Sequence, residues 1–157
     1  MFRGGIMKYL CSFILAAFLA ISSQAAQPEF LLNITKDDVI IHNQKDWHFV
    51  AKSDGHDIYI EKSMIGAKNE IVRFHAFVPY HEPQYMYGVD VPVRALYVYG
   101  SLHCDKEKLM LLLDLYVDAT NKIIFRNSYK VNSHIVSLNV PNTTRFDILN
   151  LVCKESI

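Results

Sequence analysis

This chain is short of most residues that punctuate, crosslink or charge a protein. Its 157 residues hold three cysteines, one tryptophan, six glycines and five prolines. So little glycine and proline excludes collagen-like and low-complexity architectures. Net charge is absent as well, because 16 basic residues balance 16 acidic ones. Setting aside Arg3 and Lys8 in the leader described below tips that balance slightly acidic. The basic face that nucleic acid requires is therefore missing. No run of lysines and arginines addresses a membrane surface. The chain has no glycine-rich phosphate loop, no HExxH and no GxSxG elbow. Long apolar runs are lacking too, apart from the one between Leu10 and Ile21. At about a dozen residues, it falls short of the ~20 that span a bilayer.

That run has the build of a signal peptide. Lys8 supplies the positive start, and Ser23-Gln24-Ala25 puts small residues at −3 and −1, so cleavage is expected after Ala25. Cys11 precedes the apolar run instead of closing it, the wrong place for lipid attachment. An exported protein without a lipid anchor is expected, in the periplasm, at the cell surface or in the medium. Residues 1–25 form the leader, 26–45 an N-terminal arm and 46–157 one domain. Asn33-Ile34-Thr35 and Asn142-Thr143-Thr144 match glycosylation sequons. Behind a leader of bacterial type they carry no weight. Removing the leader leaves Cys104 and Cys153. An even count in an oxidising compartment favours a disulfide between them. A metal pair is the rival, but neither CxxC nor a neighbouring histidine at ligand spacing accompanies them. No cofactor and no metal are expected.

What the chain does have is alternation. Trp47, Phe49 and Ala51 alternate with His48, Val50 and Lys52, and after Asp54-Gly55 come Ile58 and Ile60, a hairpin. Residues 70–78 place Val72, Phe74, Ala76 and Val78 on one face and Ile71, Arg73, His75 and Phe77 on the other. The frame of the chain is a long strand pair, residues 91–104 and 107–119. Its second member reads as an unbroken apolar face of Leu109, Leu111, Leu113, Leu115 and Val117. Residues 122–129 and 131–138 read as two more strands. Thr144 then reads as a helix N-cap, with Asp147 in the first turn and Phe146, Leu149 and Cys153 on one stripe. The expected fold is α+β: a meander of about six antiparallel strands with a C-terminal helix packed on one face and one disulfide.

Residues 79–91 carry two prolines and three tyrosines and read as a long loop. Tyr80, Tyr85, Met86 and Tyr87 form either a protein-contact surface or a cover over the sheet edge. Trp47 reads as a core anchor. Candidate chemistry is thin. The seven histidines lie apart, at 42, 48, 56, 75, 81, 103 and 134. His75 beside Arg73 would make a general base only if a pocket joined it to His48 and His56. His81, Glu82 and Asp90 are too few and too loosely framed for a metal. Asp114, Tyr116 and Asp118 read as a solvated stripe. The reading is therefore of a protein that is not an enzyme.

Several of these pieces recur together elsewhere. The Trp47 strand, the run Ile58-Tyr59-Ile60-Glu61-Lys62-Ser63-Met64-Ile65 and the Ile71-Val72-Arg73-Phe74 strand come in order. Leu102-His103-Cys104, Leu113-Asp114-Leu115-Tyr116-Val117-Asp118 and the segment from Pro141-Asn142-Thr143-Thr144 to Val152-Cys153 follow. In that order and spacing the chain resembles the surface-adhesin protein E-like family of secreted bacterial domains, from about Asp46 to Lys154. The resemblance implies an antiparallel sheet with a helix fastened to it by a disulfide. It also implies a non-enzymatic binding domain, an adhesin contacting host extracellular-matrix or serum proteins, able to pair as a homodimer. The alternative is a periplasmic structural or envelope-assembly protein that associates with itself. Either reading calls for a protein partner and no nucleic acid.

Overall fold

The computed structural model describes residues 34–67 and 69–154. The expected leader, the first part of the arm and Asn33 of the first sequon lie outside the described residues. Among the described residues seven strands form one antiparallel sheet: β1 (Trp47–Lys52), β2 (Asp57–Glu61), β3 (Ile71–Gln84), β4 (Val93–His103), β5 (Lys108–Val117), β6 (Ile123–Ser128) and β7 (Ile135–Ser137). β1 to β6 neighbour one another in sequence order. The β1–β2 hairpin closes where Ser53 N–H donates to His56 O at 2.9 Å. Neither Asp54 nor Gly55 takes a positive φ there, so the turn does not use the conformational freedom that pair offers.

β7 departs from the meander. It pairs with β5 at Lys108–Met110, while β6 pairs with β5 at Leu113–Val117. The two segments therefore lie in line along one edge of β5, separated by an excursion at 129–134. The excursion starts at a bulge. Tyr99 pairs with Leu113 and Gly100 with Leu111, leaving Leu112 without a register partner on β4. Tyr129 N–H donates to Leu112 O at 3.0 Å, and Leu111 N–H to His134 O at 2.9 Å, which fastens both ends of the excursion there.

The bulge also overturns the single apolar face expected on β5. One extra residue reverses the alternation. Leu109 and Leu111 pack with Ile60, Val72, Phe74, Ala76 and Leu102 on one side of the sheet. Leu113, Leu115 and Val117 pack with Ala95, Tyr97, Tyr99 and Ile123 on the other. Gly100 makes this possible, because a Cβ there would collide with Met110 O.

The C-terminal helix α1 (Thr144–Leu149) continues into a π-helical turn, Asn150–Lys154. Its N-cap is Thr143, one residue earlier than the sequence pattern indicated, with Thr143 Oγ1 accepting from Phe146 N–H at 3.4 Å. Ile148, Leu149 and Val152 are buried in the Ile60–Leu102 cluster. A helix this short is not stable alone, so docking holds it. Cys104 and Cys153 form the disulfide, with Cα atoms 5.5 Å apart.

Candidate functional site

The face opposite the helix is only partly covered. The arm lies on it from the β6 side. Asp37 N–H donates to Ile123 O, Ile123 N–H to Asp38 O and Ile40 N–H to Asn121 O. Lys122 Nζ holds Asp37 Oδ1 at 2.7 Å. Ile34 and Ile40 pack on the Leu113–Leu115 cluster. Beyond Ile40 the arm sets His42 among aromatic rings, and past it the sheet lies open.

Strand alternation gathers those rings. β1 presents Trp47 and Phe49, β2 presents Asp57, Tyr59 and Glu61, and β3 presents His75, Phe77 and Pro79; Phe49 and Phe77 both stand in register with Tyr59. The ring centroids follow on without a break. Phe49 to Tyr59 is 5.5 Å, Tyr59 to Phe77 6.0 Å, Phe77 to Trp47 5.6 Å and Phe77 to His42 4.2 Å. These are the offset and edge-on separations that aromatic pairs favour. His42, Gln44, Trp47, Tyr59, Phe77 and Pro79 line a groove of about 510 Å³. Trp47 is half-buried in its wall, neither a fully enclosed core residue nor an exposed platform.

Beneath the ladder the polar groups pair with one another, apart from one histidine nitrogen. The Tyr97 hydroxyl and His42 Nδ1 are 2.8 Å apart. Burial lowers the His42 pKa and pushes both Tyr97 and Tyr99 well above the usual phenol range. His75 stacks on Tyr99 at 4.1 Å and meets Glu61 Oε2 through Nδ1 at 3.1 Å. Its Nε2 is buried without a hydrogen-bond partner among the described residues. Burial lowers the His75 pKa, and Glu61 opposes that shift.

The structure keeps the other candidate histidines apart. His48 pairs in register with Ile60, and the β1–β2 alternation turns it to the helix side. His56 contacts Ser53 and Tyr80. No described pocket joins either of them to His75. His81 meets Asp57 at 2.9 Å instead of converging with Glu82 and Asp90. Among the described residues no three His, Cys, Asp or Glu side chains converge. Asp114 is not on a solvated stripe, because it is 6% exposed and accepts from the Tyr129 hydroxyl.

The segment 79–91 divides. β3 runs on through Pro79 and Pro83 to Gln84. Pro79 is tolerated because its nitrogen faces β2, as His81 N–H does in donating to Gly55 O at 3.0 Å, so only one ladder bond is lost. Tyr80 is thus a strand residue, half-buried. The loop proper starts at Tyr85, with Gly88 at φ +76° closing a turn in which Val89 N–H donates to Met86 O. Tyr85 is 78% exposed, Tyr87 stands fully in solvent and Met86 is half-buried. A second groove, about 770 Å³, runs between residues 88–91, the arm and β6. Sequence reading singled out Trp47 but not Tyr59, Phe77 and His42 as its companions. The signal for Tyr59 was the D-x-Y-x-E alternation of residues 57–61 and that for Phe77 the R-x-H-x-F alternation of residues 73–77, whereas nothing local marked His42.

No family model and no curated protein matches the chain. Solved structures of Haemophilus influenzae protein E do match. Crystal form II aligns with a TM-score of 0.53 at 22% identity, over 76% of this chain and 96% of that one. A second structure of the same protein aligns with a TM-score of 0.53 at 22% identity, over 77% and 93%. At that identity the likeness concerns architecture, and it agrees with the disulfide-fastened helix and sheet described above. The chain has the fold of Haemophilus influenzae protein E.

Proposed function

We propose that this chain is an exported, non-enzymatic protein-binding domain of the adhesin kind. The observation that carries the reading is the unbroken aromatic ladder from Phe49 through Tyr59 and Phe77 to Trp47, bordering an open groove. Aromatic side chains bury large rigid areas at little entropic cost and are enriched where proteins bind proteins. Tyr85 and Tyr87 at the β3–β4 tip add a second exposed aromatic contact. The disulfide fits an oxidising compartment. The family resemblance carried by the segments from the Trp47 strand to Val152-Cys153 implies host matrix or serum proteins as the partner class. A second reading, self-association in the envelope, is favoured by the outer edge of β1, the end strand of the sheet, beside Phe49 at 49% exposure.

The test follows a tagged protein through cytoplasm, periplasm, surface and medium, with and without external protease. Light scattering and binding to a panel of matrix and serum proteins are measured in parallel. Protease-accessible or released protein that binds a panel member supports the adhesin reading. Confinement to the periplasm as a dimer supports self-association. Reduced protein in the cytoplasm sinks both.

A further inference from the structure

We infer that the half of the helix-side face left uncovered by α1 holds a cation site, in which Tyr80, Tyr116 and Tyr129 receive an ammonium or guanidinium group over the buried carboxylate of Asp114. The site is on the sheet face opposite the aromatic groove and does not rest on the binding role proposed for that groove.

The helix covers the part of this face around Val72, Phe74, Leu102 and Leu109. Further along, Leu96, Tyr116 and Phe125 stand in one register row, and Val98, Asp114 and Asn127 in the next. The Tyr116 and Phe125 rings are 5.6 Å apart, and Phe125 is 39% exposed. Alternation along β3 brings Tyr80 to the same side. Asp114 is 6% exposed. Its Oδ2 accepts from the Tyr129 hydroxyl at 2.5 Å, while its Oδ1 is buried with no hydrogen-bond partner among the described residues. The ion pairs among those residues use Glu61, Asp57, Asp37 and Glu107, so no lysine or arginine compensates Asp114. Arg94, which alternation places on this face, makes no ion pair with it.

Burial raises the Asp114 pKa, and the Tyr129 hydroxyl and, through space, His134 oppose that shift; a buried carboxylate with one hydrogen bond from a neutral phenol and a histidine only at a distance is an incomplete arrangement. The electrostatics tie the cluster together. Burial first, and the Asp114 charge after it, hold the hydroxyls of Tyr80, Tyr116 and Tyr129 protonated; Tyr116 also feels Tyr80, and Tyr129 feels Tyr116. Electron-rich ring faces, phenol oxygens and an anion shielded from water are the components that recognise organic cations. Oδ1 is sealed from solvent, so it acts on an overlying cation through space. The same chemistry suits a free quaternary ammonium and the lysine or arginine side chain of a partner protein.

The experiment titrates the disulfide-bonded protein and follows the tyrosine ring resonances. The probes are choline, its neutral isostere 3,3-dimethylbutan-1-ol, and the N-acetyl methylamides of lysine and arginine. The site predicts saturable shifts at Tyr80, Tyr116 and Tyr129 with the cations and none with the isostere. Asp114→Asn and Tyr116→Leu should each weaken binding about tenfold or more. A choline preference assigns a free ammonium, and a lysine or arginine preference assigns a protein side chain. Absence of saturable shifts, equal response to the isostere, or unchanged affinity in Asp114→Asn overturns the inference. If Asp114→Asn loses its dispersed spectrum, Tyr80→Leu, which leaves the Asp114–Tyr129 bond in place, decides in its stead.

Discussion

Replacing Cys104 and Cys153 together by alanine tests what holds the C-terminal helix in place. The disulfide joins residues 49 apart in sequence. A crosslink over that length removes about 14 cal/mol/K of chain entropy from the unfolded state, about 4 kcal/mol at 25 °C. Set against the 5–15 kcal/mol that ordinarily stabilises a domain, the bond is worth a large fraction of the whole. The corresponding fall in melting temperature is roughly 10–20 °C. Lost packing adds little, since Cys104 and Cys153 are both only partly buried. The loss should be global, because α1 docks through Ile148, Leu149 and Val152 and a helix of its length does not persist undocked. Urea titrations of the oxidised protein and the double variant, read by circular dichroism, measure the difference. Reducing agent added to the wild type should reproduce most of it. A loss below about 1 kcal/mol would refute the reasoning, since it would mean that docking alone fixes the helix and that constraint of the unfolded chain counts for little.

The β5 bulge predicts that Gly100→Ala destabilises by about 2 kcal/mol or more, because the new Cβ meets Met110 O and not a yielding side chain; an unchanged melting temperature would contradict the register. Thr143→Ala should cost about 1 kcal/mol by removing the N-cap bond to Phe146 N–H, and thermal melts read this directly. Acid should weaken the fold. Burial lowers the pKa of both His42 and His75 from 6.5, so the unfolded chain takes up protons first as pH falls. Their contribution is fully present above about pH 6.5 and declines below it. Urea midpoints at pH 7.5 and 5.5 should therefore differ, and His75→Phe should reduce the difference. A midpoint that rises on acidification would reverse the assigned direction.

Much of the architecture could be read from the sequence because alternation is a local property. β1, β2, β4 and β6 fall where their patterns place them, and Cys104 and Cys153 pair as their number and expected compartment suggested. The misreadings share a cause, which is long-range geometry. Nothing local in LMLLLDLYV says that Leu112 bulges, since leucine suits either face; only the close approach of Gly100 forces it. The same bulge turns β7 onto β5 and buries Asp114, which by composition belonged to water. Pro79 and Pro83 argued for a loop, but a strand whose missing donor costs one ladder bond accommodates them. In the site, Trp47 stood out by type, whereas His42 joins the rings only because the arm crosses the sheet.

The aromatic groove as a protein-binding surface is tested most directly by comparing wild type with Phe49→Ser/Tyr59→Ser. Both rings lie on the accessible side of the ladder, so the double change spares the buried clusters. The disulfide-bonded proteins would be passed over immobilised matrix and serum proteins, with Tyr85→Ser/Tyr87→Ser to report on the tip separately. The reading predicts saturable wild-type binding to at least one panel member, weakened about tenfold or more by the groove variant at unchanged melting temperature. Binding that survives the groove variant intact, or a panel to which the wild type does not bind, would contradict it.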